Sequence, residues 1–409
     1  MYWTRADSVW GFMPWLLMSM IWWCGGILIA VYLFRLPFRE RLVAGLGTGV
    51  LLFISLSNLI SHIAPFPLAL WAGACLVFLI GLFAAWRLRA SRSSSGMPSP
   101  AAPRRNSERF PDMQAGSITK RAWNLVFLTV KNYRSGLIQL LILAGLIYFF
   151  ELINRGLAIF DDYHNLPLIS TMAAGDVPPH FYLNTDHLFA YHYGWHLFAA
   201  SMVRIGDLFP WSAFDLSKAI SLSLLAILAY LWFFRWTRSW LGATLGAALA
   251  VLGGGTRWLL LFVPPERLAR ASATILLQGS SAYSGPDLAT NLSRPWLIEG
   301  AGPLPFPFAF ANGIFPPAIM ALGGSGAIPL ATIFLLLLLA RKEWNLGSAT
   351  VFSLLLATLG LTAEYLFAPL AVGLGFVLLL GLWGARRRMI SGAFHLWGWL
   401  GVFVASVIL

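Results

Sequence analysis

The sequence predicts an all-α, polytopic membrane protein, and three observations carry that prediction. Hydrophobic residues make up 58% of the 409-residue chain and charged residues only 11%, a balance that no water-soluble fold sustains. Apolar runs of the length that crosses a bilayer, ~20 residues, recur from one end to the other. The charge that does exist is gathered between those runs: the net charge is +12, and the stretch 87–135 alone contributes +8, from ten Lys and Arg against Glu108 and Asp112. A basic stretch flanked by spans marks the cytoplasmic side and suits contact with anionic lipid, whereas nucleic acid is not expected as a partner.

Spans are predicted at about 13–34, 42–62, 68–86, 136–153, 212–234, 240–253, 318–340, 349–364, 367–385 and 391–409, ten in all. The connection Arg35–Arg41 is basic and therefore cytoplasmic, which puts the amino terminus, the turn His62–Pro67 and the segment after residue 154 outside. The run 188–203 is only marginally long enough to cross. It reads as an interfacial or re-entrant helix, because a single crossing at 212–234 then leaves Arg235 and Arg238 inside. Arg341, Lys342 and Arg386–Arg388 fall inside in the same scheme, and residues 254–315, rich in Pro and Gly, form a second external region. The division expected is a three-span amino-terminal accessory module (1–86), a basic and partly disordered cytoplasmic linker (87–135) and a transmembrane core (136–409). The chain stops within an apolar run, so the core is expected to be truncated.

The first residues lack the basic, apolar and small-residue pattern of a cleaved leader. Cys24 and Cys75 lie inside apolar runs and read as small buried hydrophobes. No period of 20–50 residues is evident.

The chemistry concentrates in one segment. Five of the seven histidines, His164, His180, His187, His192 and His196, lie with Asp161, Asp162, Asp176 and Asp186 directly after a span. Ionisable groups at a membrane boundary cost free energy unless solvated or paired, so this density predicts a wet pocket on the external face. Asp161 and Asp162 cannot both point into it from extended chain, since neighbouring side chains diverge. One of them suits a helix start instead. His192 and His196 are four apart and would share a helix face. With Asp161 or Asp186 they could hold a divalent metal, but the spacing lacks the glutamate of HExxH and Gly194 interrupts it, so hydrogen bonding to substrate or loop backbone is the preferred role. No metal ligand is assigned. Glu364, with Tyr365, falls in a short external turn and is a candidate to line the same pocket. Gly253-Gly254-Gly255 lacks the spacing and the Lys of a P-loop and reads as a span end. Most aromatics belong to the lipid face, but Tyr191, Tyr193 and Trp195 stand where a sugar or prenyl chain could stack.

The run FDDYHNLPLISTMAAGDVPPHFYLNTDHLFAYHYGWHLFAASM resembles the first external loop of GT-C integral-membrane glycosyltransferases, in which an acidic pair follows a span and precedes a helix. It is most similar to the YYY-type membrane proteins assigned to that superfamily, through Pro178-Pro179 and Tyr191-His192-Tyr193-Gly194. Gly253-Gly254-Gly255-Thr256-Arg257-Trp258 and the Pro-rich stretch 303–317 look like later parts of the same family. The resemblance covers about 136–385. It departs at Ala311-Asn312-Gly313-Ile314-Phe315-Pro316-Pro317, where the family carries a Leu-His-Pro-His-like element, and in the three spans that precede the acidic loop.

The resemblance implies transfer of a sugar from a polyprenyl-phosphate donor to a lipid, glycan or protein acceptor on the extracytoplasmic face of a plasma or inner membrane. Asp161 or Asp162 would then take the acceptor proton. Arg257, Arg294 or Lys218 would meet the leaving phosphate, although Lys218 could instead pair with Asp215 one turn earlier. His164, Asp186, Tyr191, His192, His196 and Glu364 complete the expected substrate-binding set. Two rivals come from other classes: a transporter or flippase of lipid-linked substrate, which predicts charges midway along spans, and a non-catalytic assembly protein.

Overall fold

The computed structural model describes residues 9–94, 136, 138–152, 162–189, 192–252, 267, 296–298, 302–304, 326–340 and 345–387. These are mostly helical: α1 (Met13–Leu28), α2 (Phe38–Ser61), α3 (Phe66–Ser94), α4 (Ile138–Leu152), α5 (Asp162–Ala174), α6 (Gly194–Gly206), α7 (Pro210–Thr237), α8 (Trp240–Leu252), α9 (Ala327–Leu339), α10 (Leu346–Thr362) and α11 (Glu364–Arg387). Four helical stretches are long and apolar enough to cross a membrane, namely Trp10–Leu33, Phe38–Ser61, Phe66–Arg87 and Pro210–Thr237. Helices α4, α8, α9 and α10 are apolar but shorter. Helix α9 lies within the expected span 318–340 and α10 covers most of 349–364, while 318–325 lies outside the described residues, as does 391–409.

The described residues are mostly helical, as the all-α reading expects, and among them are also two short antiparallel hairpins. One joins β1 (His180–Phe181) to β2 (Asn184–Leu188), and the other joins β3 (Trp296–Ile298) to β4 (Gly302–Leu304). Strands this short have no readable alternation. The first is held by Phe181 stacking on Phe189 at 6.1 Å and by the Phe189 N–H donating to the Pro179 carbonyl at 2.8 Å.

Helix α1 ends in a π-helical turn, Ile29–Leu33, and the chain reverses through Arg35 in the left-handed region at φ 48°. The turn keeps its polar groups satisfied: Arg41 Nε donates to the Leu36 carbonyl at 2.8 Å. Helices α1, α2 and α3 then pack through glycines. A Cβ on Gly25 would stand 2.6 Å from the Val77 carbonyl oxygen, one on Gly81 2.6 Å from that of Gly25, and one on Gly26 would collide with the backbone of Gly45 and Gly49. In lipid, where apolar side chains gain nothing from leaving their surroundings, this backbone approach is what holds helices together. Cys24 and Cys75 are free and exposed on the outer faces of α1 and α3, not buried as the sequence reading had them. In an apolar run, a small residue facing lipid looks the same as one facing a neighbour.

Of the four candidate spans α2 is the most enclosed. It packs against α1, α3, α6, α7, α9 and α10, so the first three helices and the later ones share one core. Helix α11 packs on α10 and leaves Tyr365, Val372 and Phe376 exposed.

The bundle has two distinct ends. At one, the start of α2 meets the end of α7, where Arg235 Nε donates to Glu40 Oε1 at 2.9 Å. Arg235 Nη1 also donates to the Leu338 carbonyl of α9 at 2.9 Å. Gln139, in the first turn of α4, donates to the Arg39 carbonyl at 2.6 Å. At the other end α6 lies across the helix termini. Tyr193, just before α6, bonds Asn58 in the last turn of α2, and Gly194 abuts Thr362, the last residue of α10. Trp195 packs on Phe214, early in α7. Further along α6, Ser201 accepts from Trp15 Nε1 at 3.0 Å, and Gly206 abuts Phe12 and Trp15 at the start of α1. A 13-residue helix is about 20 Å long. The partners named here sit at the start of α1 and α7 and at the end of α2 and α10, so α6 runs across the bundle and not along it. Helix α5 packs against α6.

Candidate functional site at the end covered by α5 and α6

The short non-helical stretch before α6 brings His192 against the first residue of α11. His192 Nδ1 lies 3.0 Å from Glu364 Oε2 and 3.2 Å from Oε1, joining residues 172 apart in sequence. Only Ala363 separates α10 from α11, which fixes Glu364 in the first helical turn, where the positive end of the helix favours a carboxylate. The exposure of the two side chains is unequal: that of His192 is 7% exposed and that of Glu364 is 56% exposed. Burial pushes the His192 imidazole below its ordinary pKa, with the charge of Glu364 and the hydrogen bond to it pulling the other way. The neutral ring donates Nδ1–H to the carboxylate. Tyr365 packs edge-on against the same ring at 5.8 Å.

One turn into α6, His196 is fully enclosed. Its Nε2 lies 2.6 Å from Asn165 Oδ1 of α5, and since an oxygen only accepts, Nε2 carries the proton. Nδ1 faces the His192 carbonyl without a well-formed hydrogen bond. Burial, then the charge of His192, push this imidazole down to about 3, against a small opposing pull from that carbonyl. Tyr193 donates its hydroxyl to Asn58 Oδ1 at 2.9 Å, and burial raises its phenol above the usual range, with that bond opposing. His192 and His196 therefore do not share a helix face. The helix starts at Gly194 with Tyr193 as its cap, so His192 turns toward Glu364 while His196 turns toward α5.

Lys218 is buried in α7. Its Nζ lies 2.9 Å from Asp215 Oδ1 and 4.1 Å from the centroid of the Phe214 ring. The alternative reading, pairing one turn earlier, is the geometry found, and it commits Lys218 to Asp215 instead of offering it to a phosphate. Trp195 is equally unsuited to stacking a substrate in this arrangement, because it is enclosed between His196 and Phe214. Asp186 sits on the exposed strand β2, away from this cluster's hydrogen bonds; its backbone N–H donates to Asn184 Oδ1 at 3.3 Å. Asp176 and His180 form a separate clip: Asp176 accepts from the His180 backbone at 2.8 Å and lies 2.7 Å from its Nδ1.

Helix α5 begins at Asp162, as the cap reading of the acidic pair expects. The side chains of Asp162 and His164 lie outside the described residues, as do Asp161, Tyr191, Arg257, Arg294 and the glycine run 253–255. Among the described residues no group of three His, Cys, Asp or Glu is placed to hold a metal.

Sequence reasoning passed over Asn58, Asn165 and Glu151. Asn58 lies within the run 42–62 and Glu151 within 136–153, so each is a polar residue in an apolar stretch, which is the signal that would have found them. Glu151 is buried in the last turn of α4. Asn165 stood in the cluster itself, hidden by its more reactive neighbours.

No protein-family model matches the chain, and neither the curated proteins nor the solved structures contain a match to it.

Proposed function

We propose that this protein is an integral-membrane glycosyltransferase that moves a sugar from a polyprenyl-phosphate donor to a lipid, glycan or protein acceptor, with its site on the extracytoplasmic face. The observation that carries this reading is the His192–Glu364 pair beside the Asn165–His196 pair, at the end of the bundle roofed by α5 and α6. Asn165, His192 and His196 belong to the segment that resembles the first external loop of GT-C enzymes, and α5 starts within its acidic pair. Glu40 and Arg235, which the positive-inside rule assigns to the cytoplasm, meet each other at the opposite end. The charged pairs described above sit towards helix ends, which favours the enzyme over a transporter.

The test is transfer of labelled sugar from a panel of polyprenyl-phosphate donors by purified full-length protein, beside Asp161→Asn and Asp162→Asn. Transfer by the wild type supports the reading, and its loss in one variant that still folds would give that aspartate a part in the step. No transfer from a broad panel overturns it, as would labelling of single cysteines at 183 or 186 only from the cytoplasm.

A further inference from the structure

We infer that Glu364, positioned by His192, is the group that accepts the proton of the acceptor hydroxyl; this rests on the proposed transfer reaction and is an alternative to Asp161 or Asp162, whose side chains lie outside the described residues. The argument is one of elimination among the described carboxylates at this end of the molecule. Asp215 is neutralised by Lys218 at 2.9 Å. Both oxygens of Asp176 are engaged by His180. Glu151 is buried. Asp186 lies on the exposed hairpin, and Asp207 holds a left-handed turn at φ 51° between α6 and α7.

Glu364 differs from all of these. Its carboxylate is more than half exposed, and its described partner is the imidazole of His192, neutral at ordinary pH, with no cation beside it among the described residues. A neutral donor orients a carboxylate without removing its basicity as a Lys or Arg would. The ring that does this is itself immobilised, buried between the start of α6 and Tyr365. Among the described residues, titratable groups beside the pair include Tyr365 on α11, Tyr193 before α6 and His196 on α6.

In the step, the acceptor oxygen forms a bond to the anomeric carbon of the donor as its hydroxyl proton passes to Glu364. The bond from that carbon to the phosphate oxygen breaks, and polyprenyl phosphate leaves with the electron pair. The proton then passes from the exposed carboxyl to water. His192 is a positioning residue and does not touch the reacting atoms.

Glu364→Gln separates this role from a structural tie, because the glutamine oxygen still accepts from His192 Nδ1 but takes up no proton. With full-length protein and the donor panel above, Glu364→Gln should lower kcat about 10²–10⁴-fold, the worth of a general base, with KM for donor little changed and the melting temperature preserved. His192→Ala, which lets the carboxylate swing, should cost about 10²-fold, the price of a misplaced group. His192→Asn, which restores a donor, should recover part of that. Wild-type rates in Glu364→Gln, with transfer lost in Asp161→Asn or Asp162→Asn, would overturn the assignment and leave the transferase reading standing. A wild type that transfers from no donor would overturn both.

Discussion

Among the described residues each end of the bundle carries one long-range pair between a carboxylate and a basic side chain, and the two are built to opposite ends. Glu40 and Arg235 are closed in: the carboxylate is buried, the guanidinium reaches both its oxygens and the Leu338 carbonyl, and three helices are joined. His192 and Glu364 are open on the carboxylate side, and the buried partner is the one that loses its charge most easily. A fully satisfied charge pair resists change of either partner, which suits a clamp. A carboxylate more than half exposed and held by a neutral donor stays open to an incoming molecule, which suits chemistry.

This contrast can be broken by measurement. The largest effect expected is from Glu40→Ala, which leaves Arg235 without its counter-charge and should cost roughly 3–5 kcal/mol of stability, read as a fall in melting temperature in detergent. Arg235→Ala should do comparable harm, and the double variant should be less impaired than the two losses added together. Gly26→Ala comes next. A methyl group there meets backbone, which cannot turn aside, and the cost should be about 1–3 kcal/mol or more.

At the other end the effects on stability should be smaller. Tyr193→Phe removes the bond to Asn58 and should cost about 1 kcal/mol. Acidification tests His192 directly. Its pKa is lower in the folded protein than in the unfolded chain, so its stabilising contribution is complete above about 6.5, the ordinary histidine value, and is lost as the pH falls from there through the folded value. Thermal unfolding across that window should show a slope, shared with His196, that His192→Asn reduces. Smallest of all is Glu364→Gln, expected to change stability by less than about 0.5 kcal/mol because the carboxylate is more than half exposed and its hydrogen bond survives. A large loss of stability there would mean that both ends are clamps.

Much of the helical layout was legible because bilayer thickness sets a length that composition reports directly. The positive-inside bookkeeping placed Glu40 and Arg235 on one side before their contact was known, and it required 188–203 not to cross, which agrees with α6 lying across the bundle. The hairpin at His180–Leu188 was not legible, since its strands are too short to show a period. The site was legible as a list and not as a set of pairs. His192, His196, Lys218 and Glu364 were all named, but spacing along the chain suggested His192 with His196. The helix start at Gly194 parts them, and each finds its partner on another helix. Lys218 was settled by burial, a property that sequence does not carry.

The position of α11 has a consequence for traffic. It packs on α10 at the margin of the bundle with Val372 and Phe376 turned outward, and Glu364 opens that same helix. A molecule with a long hydrocarbon tail could reach the carboxylate sideways, sliding along this outer wall while its tail stays in the surrounding lipid. Arrival would then be a search in two dimensions, with rate set by surface density and lateral diffusion.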